Sequence, residues 1–422
     1  MSLYLGIDLG TSACRACVID ADRRECASAA APLPAPRRDG HAVEQDPAQW
    51  WRALEHTLDA LRDRVGLERV ERIAVDGTSA TLLLCRPDGA PLTPALMYND
   101  SRATAEAGRI AALAPADSPA RSPTSSLAKL LWLARAVDDP CVALHQADWL
   151  AGRLCGRFDT SDENNALKLG YDAGRRCWPD WLRDLGPVAG CLPRVQAPGT
   201  PLAPVLPAWR ARWGLAADAT VVAGTTDSTA AFLATGARLP GTAVTSLGST
   251  LVLKVLAEAP VAAGEYGVYS HRLGDRWLAG GASNSGGAVL RQFFDDRALA
   301  ELSARLRPHR PGCLDYYPLP APGERFPVDD PALPPRLTPR PRDDLRFLQG
   351  LLEGIARIER LGYRRLAELG APWPERVLTV GGGAVNEAWR RIRERMLGVP
   401  VEVALHQEAA YGAALLARQG VA

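Results

Sequence analysis

The sequence predicts a layered α/β protein of two domains, and three observations carry that prediction. A chain of 422 residues is longer than one core ordinarily serves, so two domains are expected. Strand-like apolar runs that end in small polar residues alternate with helix-length amphipathic segments. One device also occurs twice. Leu9-Gly10-Thr11-Ser12 follows the apolar run Leu3 to Ile7 and precedes Ala13 to Ile19; Leu247-Gly248-Ser249-Thr250 follows Ala243-Val244-Thr245 and precedes Leu251 to Leu256. Each reads as strand, tight Gly-hydroxyl turn, strand. Such a tip presents N–H groups and hydroxyls, which suit phosphate oxygens. Two copies imply two related half-domains facing one polyphosphate in a cleft. Only the first has a carboxylate in its strand, Asp8, and a carboxylate beside phosphate calls for a cation between them, with Mg²⁺ the natural candidate.

The chain opens as a β-meander: Leu3–Asp8, Ala13–Asp20 and Glu25–Ala31, with a turn at Asp20-Ala21-Asp22. Asp46 before Pro47 reads as an N-cap with Pro at the first helical position, opening a helix to about Arg64. Arg72–Asp76 reads as a short buried strand ending at Gly77-Thr78-Ser79, with Thr81–Cys85 expected to pair with it. Asp100 to Leu150 is expected to be mostly helical, and Asp159 to Gly199 turn-rich. Val221–Ala223 is a strand closed by Gly224-Thr225-Thr226-Asp227, with a helix from Ser228 to Thr235. After the second Gly-hydroxyl turn come a hairpin across Leu273-Gly274-Asp275 and a Gly-rich helix start at Ser285. A Pro-rich irregular stretch follows from Leu306 to Pro341. Asp343 to Leu369 has apolar residues near helical spacing and reads as a long amphipathic helix. Val377–Val380 runs into Gly381-Gly382-Gly383 and a helix to Leu397. Glu408 to Arg418 is a final Ala-rich helix.

Composition excludes several classes. Hydrophobic content of 47% and charged content of 23% belong to an ordinary globular protein. A net charge of +1 leaves no footprint for nucleic acid or an anionic membrane. No apolar stretch is long enough to span a bilayer, and the start reads as a strand, not a signal peptide. Nine cysteines without a regular framework fit a reducing cytoplasm. Cys14 and Cys17 point to opposite faces of a strand, so packing is favoured over redox or zinc chemistry. A Gly-Lys-Ser/Thr loop, a His-Glu-x-x-His helix and a G-x-G-x-x-G fingerprint are all absent.

Four constellations carry chemistry. Asp8 with Gly10, Thr11 and Ser12 reads as a phosphate loop with a metal-side carboxylate, or as a hairpin whose Asp caps the turn. Gly381-Gly382-Gly383-Ala384-Val385-Asn386 permits close approach of a flat ligand, and the following helix start favours anions. There Asn386 could bond an adenine edge and Trp389 cover its face; a plain strand-to-helix turn is the alternative. Asp227 stands at a strand's carboxyl end, where α/β proteins place ligands. It could take a proton from a substrate hydroxyl, or simply cap the Ser228 helix. Asp76-Gly77-Thr78-Ser79 is another strand end, where Ser79 could bind a polyol hydroxyl.

In this order the elements resemble the FGGY carbohydrate kinases. Gly6-Ile7-Asp8-Leu9-Gly10-Thr11-Ser12 is similar to the family's first phosphate motif, Gly224-Thr225-Thr226-Asp227 to its catalytic-base segment, and Thr245-Ser246-Leu247-Gly248-Ser249-Thr250 to its second phosphate motif. Gly381 through Trp389 is similar to the adenosine motif, which Arg391 through Val401 extends. The resemblance covers essentially the whole chain. It implies the actin-like ATPase fold: two ribonuclease-H-like domains around a central cleft. It implies a sugar-binding domain over 1–236 and a nucleotide-binding domain over 237–422, with a last helix at about 408–422 packing back toward the first. ATP and Mg²⁺ are the implied cofactors and a small sugar the partner, with no nucleic acid or membrane; the oligomeric state is not legible in the sequence. Asp227 would be the general base, and Asp8, Ser12, Ser79 and Asp227 would meet the sugar. Asp8 would serve Mg²⁺ through water. Gly10, Thr11, Gly248, Ser249, Gly287, Gly382, Gly383, Asn386 and Trp389 would line the ATP site.

Within the family the chain most resembles the compact D-ribulose kinase branch, often labelled xylulokinase-like. Ala74-Val75-Asp76-Gly77-Thr78-Ser79-Ala80-Thr81 carries this point, because bacterial xylulokinases typically have a Met-His pair where Thr78-Ser79 stands. Ser125 through Leu130, Gln146 through Leu150, Asn165 through Tyr171 and Leu314 through Pro320 are further matches, whereas Val43-Glu44-Gln45-Asp46-Pro47 looks more like the larger xylulokinases. The implied activity is phosphorylation of a ketopentose, D-ribulose to D-ribulose 5-phosphate, with D-xylulose or another polyol or ketose as the alternative acceptor. An actin-like nucleotide switch without a sugar acceptor is the alternative of a different class.

Overall fold

The computed structural model describes residues 2–419. By contact the chain forms two compact units: Met1–Ala234 with His271–Gly274 and His406–Ala422, and Thr235–Ser270 with Asp275–Leu405.

The first unit is built on a six-stranded sheet. Its spatial order is Pro201–Pro204, Thr220–Thr226, Val70–Gly77, Leu3–Leu9, Ala13–Asp20, Glu25–Pro32. The last three form the expected antiparallel meander, while Val70–Gly77 and Thr220–Thr226 add in parallel on the other side of Leu3–Leu9. The three central strands are buried on both faces, and their near-continuous apolar residues follow from that. One face carries the helices Pro47–Arg62 and Gln146–Cys155, with the Trp50 and Trp149 rings 6.1 Å apart in the core between. Asp46 caps the first of these helices, accepting from Ala48 N.

The opposite face carries Asp227–Ala234 and Ala409–Gln419. Contact there is backbone to backbone. A Cβ on Gly6 would stand 2.1 Å from Ala410 O, and one on Gly412 would stand 1.8 Å from Ala230 O, so both positions must be glycine. Residues 420–422 of the expected last helix lie outside the described residues.

One expected pairing is overturned. Leu82–Cys85 does not pair with Val70–Gly77 but joins a separate five-stranded sheet, beside Val142–His145 and Ala95–Leu96. The cause is the turn between them, where Ala80 takes a left-handed φ of 66° and redirects the chain. Within 100–150, Thr104–Ala111, Ser126–Leu133 and the start of Gln146–Cys155 are helices, Pro119–Arg121 and Ala134–Ala136 are short 3-10 turns, and Val142–His145 is a strand that the sequence reading did not anticipate.

The second unit repeats the plan. Its sheet runs Tyr269–Leu273, Arg276–Ser283, Leu251–Ala257, Thr242–Leu247, Arg376–Val380, Val401–Val403. Antiparallel strands lie on one side of Thr242–Leu247, and the parallel strands Arg376–Val380 and Val401–Val403 on the other. The 25-residue helix Asp344–Glu368 packs its apolar stripe into this unit's core. Beneath it Arg393, on the helix Glu387–Leu397, forms a two-pronged ion pair with Glu359, with both nitrogen–oxygen distances 2.7 Å. Both side chains are 1% exposed. Arg393 also donates to Thr379 Oγ1, and Thr245 Oγ1 donates to Glu359 Oε1. Among the described residues no helix is long and apolar enough to cross a membrane.

Candidate active site

In the first unit, three parallel strands bring the predicted residues to one sheet edge. Asp8 stands opposite Asp76, Leu9 opposite Gly77, and Thr226 opposite Gly77. The Gly10–Ser12 turn, the Thr78–Ala80 turn and Asp227 therefore all leave from the carboxyl ends of adjacent strands, where α/β proteins hold ligands. The Gly10 N–H donates to Ala13 O at 3.1 Å, making the tight turn. A Cβ on Gly10 would meet nothing closer than 3.6 Å, so packing does not demand glycine there. The bare backbone leaves room for a ligand.

The carboxylates differ. Asp227 is the first residue of the helix Asp227–Ala234 and accepts the Ser228 N–H at 2.6 Å, half-buried at the sheet edge. Asp8 is buried, and Arg15 Nη1 lies 3.3 Å from it across the antiparallel pair Asp8–Arg15. Burial raises the Asp8 pKa, against the pull of Asp76 and Arg15. Asp76 is wholly buried, and neither of its oxygens has a hydrogen-bond partner among the described residues. Burial, then the charges of Asp8 and Asp227, push it well above the carboxylate range. The direction we assign is a protonated Asp76 beside an ionised Asp8, because two adjacent buried carboxylates with one guanidinium cannot both ionise. The oxygens of Asp8 are of the donor type that Mg²⁺ takes, a hard cation that uses one or two carboxylates and keeps several waters. Among the described residues no group of three or more His, Cys, Asp or Glu could hold a metal ion.

The Thr78 turn is braced. Gln146 Oε1 accepts from both Thr78 N and Thr78 Oγ1 at 2.9 Å, and Thr78 Oγ1 meets Thr81 Oγ1 at 2.6 Å. Ser79 stays part-exposed at the tip, and Ser12 is exposed. Behind the turn lies a buried polar network. His145 contacts Asp148 Oδ2 at 2.9 Å and Ser126 Oγ at 3.1 Å, a relay without solvent access and hence structural. Asn164 Nδ2 donates to Thr225 Oγ1 at 3.0 Å, two residues before Asp227.

Burial and the Asp148 charge push the Asp162 carboxyl up to about 8. Between the unfolded and folded values the folded state binds more protons, so this group's contribution to stability is lost as pH rises toward 8. Asp162→Asn removes that dependence. Its melting temperature should gain on the wild type as pH is raised from about 5 to about 8, and a constant gap would refute the assignment.

In the second unit, Ser246 stands opposite Val380, so Leu247-Gly248-Ser249 and Gly381-Gly382-Gly383 also leave from adjacent parallel strand ends. Between them opens a cavity of about 800 Å³. Gly248, Ser249, Gly287, Gly382, Gly383, Asn386 and Trp389 all line it, together with Ser303. A Cβ on Gly382 would meet nothing within 4 Å and one on Gly248 nothing closer than 3.7 Å, so these walls are open backbone. Gly287 donates to Gly248 O at 2.8 Å, closing the second turn against the next helix. Gly10 and Thr11 belong to the first unit and are not part of this cavity.

Asn386 and Trp389 both line this cavity. Asn386 Oδ1 accepts the Trp389 N–H at 3.0 Å and caps the helix, while Nδ2 donates to Ser303 Oγ at 2.8 Å. One lone pair of Oδ1 and one N–H of Nδ2 are used in this way, and the other of each remains. Trp389 is 2% exposed, a wall anchored in the core, not a free face. Sequence reasoning did not single out Arg15, Gln146, Asn164 or Ser303, since only register and tertiary contact reveal their roles.

Residues 3–234 match the N-terminal domain of the FGGY family of carbohydrate kinases, and residues 243–419 match its C-terminal domain. A xylulose kinase of Escherichia coli (strain K12) is 27% identical over 415 residues, covering 92% of this chain and 84% of that protein. A xylulose kinase of Streptomyces coelicolor is 29% identical over 428 residues, covering 95% and 84%. The crystal structure of a xyloylose kinase from Brucella ovis superposes with a TM-score of 0.86 at 26% identity, over 100% of this chain and 91% of that one. The fold is the actin-like ATPase fold with its two ribonuclease-H-like domains. The chain belongs to the FGGY family of carbohydrate kinases.

Proposed function

We propose that the protein transfers the γ-phosphoryl group of ATP, with Mg²⁺, to the terminal hydroxyl of a ketopentose, and that this acceptor is D-ribulose. One observation carries the reading: Asp8, the Thr78-Ser79 turn and Asp227 issue from neighbouring strand ends of the first unit. The glycine-walled cavity of the second unit suits a nucleotide in volume and in exposed backbone. Bound Mg²⁺ would supply charge neutralisation on the phosphates, with Asp8 as its protein-side anchor and Arg15 holding that carboxylate. Asp227 orients the acceptor hydroxyl and takes its proton at oxygen; a carboxylate is a weak base toward an alcohol, so proton transfer comes late. Ser12 and Ser79 bind further hydroxyls of the sugar, and Gly10 and Thr11 contact the phosphate end.

D-ribulose is preferred over D-xylulose because Thr78 and Ser79 are small and hydroxyl-bearing, with Thr78 locked onto Gln146. The relatives named xylulose kinase favour the second acceptor. A coupled ADP-release assay across pentuloses and pentitols tests the reading. The highest kcat/KM is expected with D-ribulose, and a higher value with D-xylulose replaces that acceptor. Hydrolysis that is independent of sugar and yields no phosphosugar would overturn the kinase reading in favour of a nucleotide switch.

A further inference from the structure

Three backbone carbonyls converge on one buried ammonium in the first unit. Lys129, on the helix Ser126–Leu133, is wholly buried. Its Nζ donates to Ala80 O at 2.7 Å, Thr124 O at 2.9 Å and Tyr98 O at 3.4 Å. The acceptors belong to three separate loops. Ala80 closes the turn that carries Ser79. Tyr98 precedes Asn99 and the buried Asp100, whose carboxylate holds Val43 N and Arg102. Thr124 adjoins Ser125, which caps the helix bearing Lys129 itself.

A buried ammonium is costly when its partners are neutral, and a methionine would fill the same space without that cost. What only the ammonium offers is three donors for three acceptors. One acceptor is strained: Ala80 holds a φ of 66°, which a residue with a Cβ keeps only when its surroundings over-determine it. Gln146 fixes the start of that turn through Thr78, and Lys129 fixes its end.

We propose that Lys129 is the positioning residue of the acceptor pocket, its ammonium tying the Ser79 turn to the Tyr98 and Thr124 loops and so setting the affinity for the sugar. The proposal rests on reading the first unit as the sugar-binding unit. Burial pulls the Lys129 amine down to about 7, opposed by Asp100 and assisted by Lys168 and Arg102, the charged groups that bear on it. Arg102 is itself paired with Asp100 and Glu44. A neutral amine has two N–H donors, so deprotonation releases one of the three carbonyls.

The test uses the full chain and whichever pentulose the wild type phosphorylates best. K129M should raise the acceptor KM by about tenfold or more, with the ATP KM held within about twofold and a smaller change in kcat. K129Q, which keeps two donors, should fall between K129M and the wild type. Without substrate, amide exchange in K129M should quicken together over 78–81, 98–101 and 122–125. A folded K129M whose acceptor KM stays within about twofold of wild type, or whose exchange rises only along the helix Ser126–Leu133, overturns the proposal. If K129M does not fold, the wild type decides. Its acceptor KM should climb severalfold between about pH 6 and about pH 9 while the ATP KM stays level, and a level acceptor KM overturns the proposal. A wild type that phosphorylates no pentulose defeats the proposed function, while the exchange measurement still decides the role of Lys129.

Discussion

Asp227→Ala will lower turnover by about 10²–10⁴-fold, the usual range for a lost general base. The side chain sits at the edge where three parallel strands end, held by the Ser228 N–H on the first turn of its helix. That bond holds the carboxylate in place, and aim matters more than basicity when proton transfer is late. The KM for ATP should change little, because the cavity proposed for the nucleotide is lined by other residues in the other unit. Asp227→Asn separates the two roles of the group. It keeps an acceptor for the Ser228 N–H but cannot take a proton, so it should be nearly as slow as the alanine variant while losing less stability. Steady-state kinetics with thermal melts as a folding control check this, and near-wild-type turnover in either variant would defeat the assignment.

The second large effect is on stability. Arg393→Met leaves the Glu359 carboxylate buried and unpaired at the centre of the second unit, at a cost of about 3–5 kcal/mol. The pair joins two helices to two strands, because Thr379 and Thr245 lie on adjacent strands of the sheet and contact Arg393 and Glu359 respectively. For a unit of this size the loss corresponds to a fall of about 6–20 °C in its melting transition. Glu359→Met combined with Arg393→Met removes both charges and should recover most of that loss, since a buried pair is often replaceable by apolar residues of similar volume. Calorimetry of the two variants against the wild type decides. A single variant as stable as the wild type would show that the carboxylate finds another partner or a proton at little cost.

Local pattern made the strand ends readable. A Gly-hydroxyl turn after an apolar run is written in consecutive residues, and so is an Asp before Pro at a helix start. The positions of Asp8, Asp227, Gly248 and Gly382 could be marked from neighbours within a few residues. What local pattern does not carry is register. Arg15 is near Asp8 because the hairpin of Leu3–Leu9 and Ala13–Asp20 places them opposite each other, and Asp76 meets Asp8 only because two distant strands align in parallel. The misplacement of Leu82–Cys85 has the same origin. Its sequence suits a strand, but the left-handed Ala80 decides which sheet receives it. Asn386 shows a third limit: its residue type suited both an adenine contact and a helix cap, and contact with Trp389 N and Ser303 engages the amide. Lys129 stood inside a matched segment, yet three carbonyls from three loops have no signature in its own surroundings.

The glycines at 6 and 412 also govern how the protein is made. The strand holding Gly6 leaves the ribosome some four hundred residues before the helix that rests on its backbone. Until then Ile19, Ala74 and Val222, which that helix covers in the finished molecule, have no partner from it. The first unit thus cannot complete its folding until that helix has emerged, and meanwhile the nascent chain carries an open apolar sheet face that invites chaperone capture or aggregation.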